Sequence, residues 1–348
     1  MKVTADIFGE LGNKPVHAYT IENNNGMSIR CINYGCIITD MITPDQNGDF
    51  ENIVLGFDKI EDYLQYSPYF GAIVGPVAGR IKAGQFELDD TVYQLEKNEN
   101  NNHLHGGAKG FSNLIWDANL IEQAEEAGVE FEYIRQDGEG GYPGTVTVKV
   151  RYILNNNNEF KITMSAVSDK NTILNLTNHT YFNLSGNAKR DILQHELTLK
   201  SNRFLELNDE LLPTGKMLDV EGTAFDFQQG RKIVDGTTAD HPQNILAGNG
   251  YDHPFLLTDN QNQEIQLSDE TSGRTLIVET NQPAVVIYTS NQLNGQFEIR
   301  GSKARPYLGI CLETQGLPDA IHHPHFPSVV VKKDEQYQWE TKYTFLTK

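Results

Sequence analysis

The chain has 348 residues, of which 38% are hydrophobic and 22% charged, so it can build a large core and lacks the composition of a disordered protein. Its formal net charge is −19 and its pI about 4.9, which excludes nucleic acid and anionic membrane surfaces as expected partners. The three cysteines, Cys31, Cys36 and Cys311, are too few and too scattered for a disulfide framework, and no paired-cysteine zinc spacing occurs.

The start, Met1-Lys2-Val3-Thr4-Ala5-Asp6, has no apolar signal core, and no stretch is long and apolar enough for a bilayer. The expectation is a cytoplasmic protein. Lys59 to Leu64 reads as a short helix; no long amphipathic one is seen. Beyond it, the dominant pattern has period two. Val129, Phe131 and Tyr133 alternate with Glu130 and Glu132. Val146, Val148, Val150, Tyr152 and Leu154 form a second run, and Phe160, Ile162, Met164 and Ala166 a third. Asn155 to Asn158 lies between the last two, and asparagine tolerates left-handed turn geometry, so these two runs predict a hairpin. Tyr337, Trp339, Thr341, Tyr343 and Phe345 predict a closing strand with one wet face. Many short strands, no Pro- or Ser-rich linker and no visible repeat imply an all-β antiparallel sandwich, with residues 1–348 as one domain.

Polar residues with chemical potential punctuate this pattern. Arg80 lies among small and apolar residues in Val77-Ala78-Gly79-Arg80-Ile81, where a guanidinium serves an ion pair or a ligand hydroxyl. His103-Leu104-His105-Gly106-Gly107 puts two histidines one residue apart, which on a strand would share a face and suit a metal; no third ligand has matching spacing. His179 lies in Asn178-His179-Thr180-Tyr181-Phe182-Asn183-Leu184. An isolated histidine is more often structural than catalytic, yet its ordinary pKa of about 6.5 suits proton transfer. Three closely spaced glycosylation acceptor patterns, at Asn175, Asn178 and Asn183, lie around it. Asp252 precedes an X-Pro segment, where a turn role is the commoner one. Glu313 follows the apolar run Gly309 to Leu312, and a buried carboxylate is expensive unless it has a function. The later cluster His322, His323 and His325, interrupted by prolines, reads as a loop. No phosphate loop or dinucleotide fingerprint appears. What remains is acid, base and hydroxyl-binding groups, the equipment of proton transfer without metal or cofactor.

Taken together, VGPVAGRI, LHGG, TNHTYFNL, YDHPF and CLETQGLPDA followed by PHFPS resemble the aldose 1-epimerases, in that family's order and over most of the chain. The resemblance implies a large galactose mutarotase-like β-sandwich, monomeric or homodimeric, that interconverts the α and β anomers of a free hexose such as galactose or glucose. It implies Glu313 as general base on the anomeric hydroxyl and His179 as general acid on the ring oxygen. Arg80, His105 and Asp252 would hold the sugar, and His103 is not the motif histidine. Both proton-transfer groups are expected to titrate near working pH. The chain departs from many members at Pro76 and Gly79, and from some at Val286, where a sugar-binding glutamine can stand; these bear on sugar preference. Weighed against this are a hexose-6-phosphate 1-epimerase, which needs more basic residues, a glycoside hydrolase using Glu313 and Asp252, and a non-catalytic carbohydrate-binding sandwich.

Overall fold

A computed structural model describes residues 1–257 and 265–348. Three antiparallel sheets dominate them. A nine-stranded sheet runs in the order Asp117–Glu122, Glu126–Arg135, Val146–Asn155, Glu159–Ser168, Gln336–Thr347, Arg274–Thr280, Ile265–Ser268, Glu196–Leu199 and Arg231–Lys232. A six-stranded sheet runs Tyr181–Phe182, Ile310–Gln315, Ala284–Tyr288, Asp252–Leu256, Arg203–Leu207 and Pro213–Asp219. A five-stranded meander covers Lys2–Leu11 to Phe50–Asn52.

The predicted hairpin forms as Val146–Asn155 and Glu159–Ser168, in register Val150↔Met164. Its turn uses Asn158 at φ +58, and the side-chain oxygen of Asn155 accepts from the backbone nitrogens of Asn157 and Glu159 at 2.9 and 3.1 Å. The closing strand is Gln336–Thr347, seated between Glu159–Ser168 and Arg274–Thr280. The short helix spans Ile60–Tyr66, and its Ile60 and Tyr63 are buried.

Alternation decides which faces meet. Tyr152, Met164, Trp339 and Tyr343 leave the nine-stranded sheet on one side, while Lys149, Arg151 and Glu340 leave it on the other. Against the buried side pack Phe182, Phe204, Phe255, Val285, Ile287, Ile310 and Leu312 of the six-stranded sheet. Tyr19, Ile21 and Ile29 of the meander join the same core, with the Tyr19 and Phe131 rings 5.9 Å apart. Each fully buried large side chain contributes about 1.5–3 kcal/mol. The six-stranded sheet therefore has one face committed to the core, and its other face is free to carry a site. Among the described residues no helix is long and apolar enough to cross a membrane.

Candidate functional site

The strand Ile310–Gln315 is buried along its whole length, because both of its faces are covered. Ile310 and Leu312 face the core, so Cys311, Glu313 and Gln315 face the other way. Register extends that face across the sheet. Tyr181, Cys311, Tyr288 and Asp252 form one cross-strand row, and Glu313, Val286 and Pro254 the next. Above these rows lies a cleft of about 170 Å³ that is also lined by Tyr69, Arg80, Glu99, His105 and His179. All five residues singled out from the sequence, Arg80, His105, His179, Asp252 and Glu313, line it.

Backbone pairing holds His179 in place. Its N–H donates to the Ala72 carbonyl at 2.9 Å, and its carbonyl accepts from the Gly71 N–H at 3.0 Å. The ring stacks on Tyr181 at 5.1 Å and meets the edge of His105 at 5.3 Å. Nε2 of His179 is 3.5 Å from Oε1 of Glu313, and both side chains are buried. Burial lowers the His179 pKa to about 4. Burial also pushes the Glu313 carboxyl well above its ordinary range, the Asp252 charge adds to the rise, and Arg80 opposes it. The expectation that both groups titrate near neutrality is thus corrected for His179: in so dry a position the imidazolium loses its hydration.

His105 is fixed by reciprocal bonds. Its N–H donates to the Gly79 carbonyl at 3.0 Å, and its Nδ1 accepts from the Gly79 N–H at 3.1 Å. Nδ1 is therefore unprotonated, and the neutral ring carries its proton on Nε2. Burial, with the nearby His179 and Arg80, keeps that ring's pKa well below its ordinary value. The turn needs φ +54 at His105 and +86 at Gly106, and a Cβ on Gly106 would lie 2.0 Å from the Gly75 oxygen. Glycine is required there by both conformation and space.

The strand of His103 ends at Leu104, so the two histidines do not share a face. His103 instead bonds the Glu96 carbonyl through Nδ1 at 2.6 Å and the Tyr142 hydroxyl through Nε2 at 2.8 Å. Both of its nitrogens are occupied, which ends the paired-histidine metal reading. Within the site, His179, Cys311 and Glu313 offer ligand atoms within 4.8 Å of one another. Their shortest approaches are to opposite nitrogens of the ring, Cys311 Sγ to Nδ1 and Glu313 Oε1 to Nε2, each at 3.5 Å. Of the later cluster, His322 and His323 face buried Asp319 at 2.6 and 3.8 Å, and His325 bonds the Gly215 carbonyl; together they fasten a loop.

Arg80 is clamped by a residue the sequence reading missed. Its Nε and Nη2 donate to Glu99 at 2.7 and 2.5 Å in a bidentate pair. Burial opposes the charge, but Glu99 and Asp252 more than offset it and raise the Arg80 pKa. Asp252 begins the strand Asp252–Leu256 and is not a turn former. Its own pKa is raised by burial, against the pull of Arg80. Glu99 gave no signal in the polar run Asn98 to Asn102, since the pairing depends on a loop closing. Cys311 and Gln315, by contrast, stand two residues either side of Glu313, and strand periodicity alone puts them on its face. Gly79 has φ +73, and an added Cβ would lie 2.9 Å from Pro318 Cβ, so its departure from asparagine fits a crowded left-handed position. The acceptor asparagines 175, 178 and 183 are all buried, which removes them as glycosylation sites in the folded chain.

A family model described as aldose 1-epimerase matches residues 17–344. Galactose mutarotase of Bos taurus is 40% identical over 352 residues, covering 99% of each chain. Galactose mutarotase of Homo sapiens is 38% identical over 348 residues, covering 99% of this chain and 98% of its own. The crystal structure of galactose 1-epimerase from Lactobacillus acidophilus NCFM superimposes with a TM-score of 0.90 at 32% identity and 99% coverage of both chains. With the β-sandwich, the cleft and these similarities in agreement, the chain belongs to the aldose 1-epimerase family.

Proposed function

We propose that this protein interconverts the α and β anomers of a free hexose, galactose first, and that Glu313 and His179 carry the two proton transfers. The supporting observation is the 3.5 Å approach of His179 Nε2 to Glu313 Oε1 in a buried cleft. From that separation a small approach of the two side chains lets one proton pass between them. Burial favours the neutral pair, carboxylic acid and imidazole. Moving the proton to Nε2 gives a carboxylate and an imidazolium, the working pair for a bound sugar. The carboxylate takes the proton of the anomeric hydroxyl while Nε2 gives its proton to the ring oxygen. The C1–O5 bond breaks, C1 becomes the aldehyde carbon, and the pair returns to its neutral form. Rotation about C1–C2 presents the other carbonyl face. Reclosure reverses both transfers and restores the ionic pair.

Each proton transfer is worth about 10²–10⁴ in rate. His105, as a neutral Nε2–H donor, Arg80 and Asp252 hold the sugar hydroxyls. A phosphorylated hexose fits poorly: among the described lining residues Arg80 is the one arginine or lysine, and Glu99 already occupies its fork. We place the protein in a reducing, cytoplasmic setting, in keeping with its three free, buried cysteines.

The test is polarimetry on freshly dissolved α-D-galactose. The expected result is a protein-dependent acceleration of the approach to anomeric equilibrium; a rate equal to buffer alone would end this reading.

A further inference from the structure

One strand reaches both nitrogens of the His179 ring. Cys311 and Glu313 stand two residues apart on Ile310–Gln315 and share its cleft side. Sγ of Cys311 is 3.5 Å from Nδ1, and Oε1 of Glu313 is 3.5 Å from Nε2. Among the described residues these are the side-chain polar partners of the ring. Cys311 is wholly buried and His179 nearly so, with the Tyr181 ring stacked on the imidazole.

An imidazole that takes and returns a proton at Nε2 must keep its other hydrogen on Nδ1 in the neutral state. A buried Nδ1–H without an acceptor would carry a desolvation penalty, so an acceptor is needed behind the ring. Outer partners of working histidines are usually a carboxylate or a carbonyl. Here the ring's own main-chain carbonyl and the sulfur of Cys311, a weak acceptor, share that place.

We infer that Cys311 is a positioning residue for the proton transfer proposed above: its sulfur accepts Nδ1–H of His179 and holds the neutral ring in the tautomer whose Nε2 faces Glu313 and the sugar. This rests on the acid–base reading of the site. The thiol orients the ring without adding charge, since burial, with Glu313 and Asp252 nearby, keeps it protonated. A carboxylate at this position would stabilise the imidazolium and weaken it as an acid. An uncharged acceptor leaves the imidazolium ready to release its proton to the ring oxygen.

The experiment joins ¹⁵N NMR of the His179 ring to polarimetry, on wild type, Cys311→Ala and Cys311→Ser. The expected wild-type spectrum is the Nδ1–H tautomer. In Cys311→Ala the ring should populate both tautomers, and kcat should fall about three- to tenfold with KM unchanged, the range of one neutral hydrogen bond. Cys311→Ser restores an acceptor, and with it the tautomer and most of kcat. An Nε2–H tautomer in wild type overturns the inference, and so does a folded Cys311→Ala protein with unaltered ring spectrum and kcat. If the alanine variant does not fold, the wild-type spectrum decides. A wild-type ring in the Nδ1–H form, in a chain that leaves galactose mutarotation at the buffer rate, supports the tautomer and removes the activity reading instead.

Discussion

His179 and Glu313, distant in sequence, meet at 3.5 Å because His179 follows the short strand Thr177–Asn178 while Glu313 lies within Ile310–Gln315. The approach sets side by side two groups that burial drives in opposite directions: the carboxyl up, the imidazole down. Consequences follow for rate, pH dependence and stability.

Glu313→Gln keeps the shape and removes the proposed base. The mutarotation rate should fall about 10²–10⁴-fold with little change in sugar affinity. The same substitution should stabilise the fold. The raised carboxyl pKa makes the native state bind more protons than the unfolded chain above the ordinary carboxylate range, so its contribution to stability declines as pH rises. At pH 7 the glutamine variant should gain about 1–3 kcal/mol, the scale of an unsatisfied buried polar group. Urea midpoints at pH 7 check this; equal or lower stability would contradict the assignment.

The pH profile of kcat/KM should be a plateau bounded by two macroscopic values that belong to the pair. On the acid side, activity falls as His179, with a pKa of about 4, takes up a proton while Glu313 keeps its own. On the alkaline side it falls when the shared proton is lost from a carboxyl held well above its ordinary range. Initial rates of α-D-galactose mutarotation, corrected for buffer at each pH, measure both limbs. An acid limb centred near pH 6.5 would show His179 to be solvated.

Arg80→Lys keeps the charge and loses the fork that Glu99 grips at 2.7 and 2.5 Å. The single ammonium cannot be clamped in the same way, so the sugar-facing position becomes loose. KM should rise about ten- to a hundredfold, the value of one charged hydrogen bond, with a smaller change in kcat. Glu99→Gln should move KM in the same direction. A fall in kcat with KM unchanged would make Arg80 part of the proton transfer instead.

Gly106→Ala should disable the loop that presents His105. Its φ is +86, and the new Cβ would lie 2.0 Å from the Gly75 oxygen. The backbone must shift, which costs about 1–3 kcal/mol. The paired bonds between His105 and Gly79 are lost with it. Thermal unfolding and KM should both move; a normal KM would separate His105 from sugar binding.

Acid should destabilise the fold before the carboxylates of ordinary pKa titrate. His179 and His195 are lowered to about 4 and His253 to about 3, each chiefly by burial. An unfolded chain takes up protons at these histidines near pH 6.5, whereas the native state refuses them until pH 4 or below. Stability is therefore fully present above about pH 6.5 and declines as pH falls through that window. Urea midpoints at pH 7 and pH 5 should differ accordingly, and His253→Gln should shrink the difference.

Period-two alternation in Val146 to Ala166 and in Tyr337 to Phe345 determined the strands by itself, because side chains of a strand leave on alternate faces and a half-buried sheet must segregate them. Arg80, His105, His179, Asp252 and Glu313 were each ambiguous alone, and became legible only as members of the ordered motifs that resemble the aldose 1-epimerases. Tertiary structure alone decided the rest. The Glu99 clamp on Arg80 requires a loop to close, and local sequence does not encode closure. The displacement of the His179 pKa to about 4 comes from complete burial, which depends on every layer packed over the ring. Cys311 could be placed on the face of Glu313 by counting residues, but only the fold brings His179 above both. Alternation fixes a side chain's face; long-range pairing of the sheets fixes what that face meets.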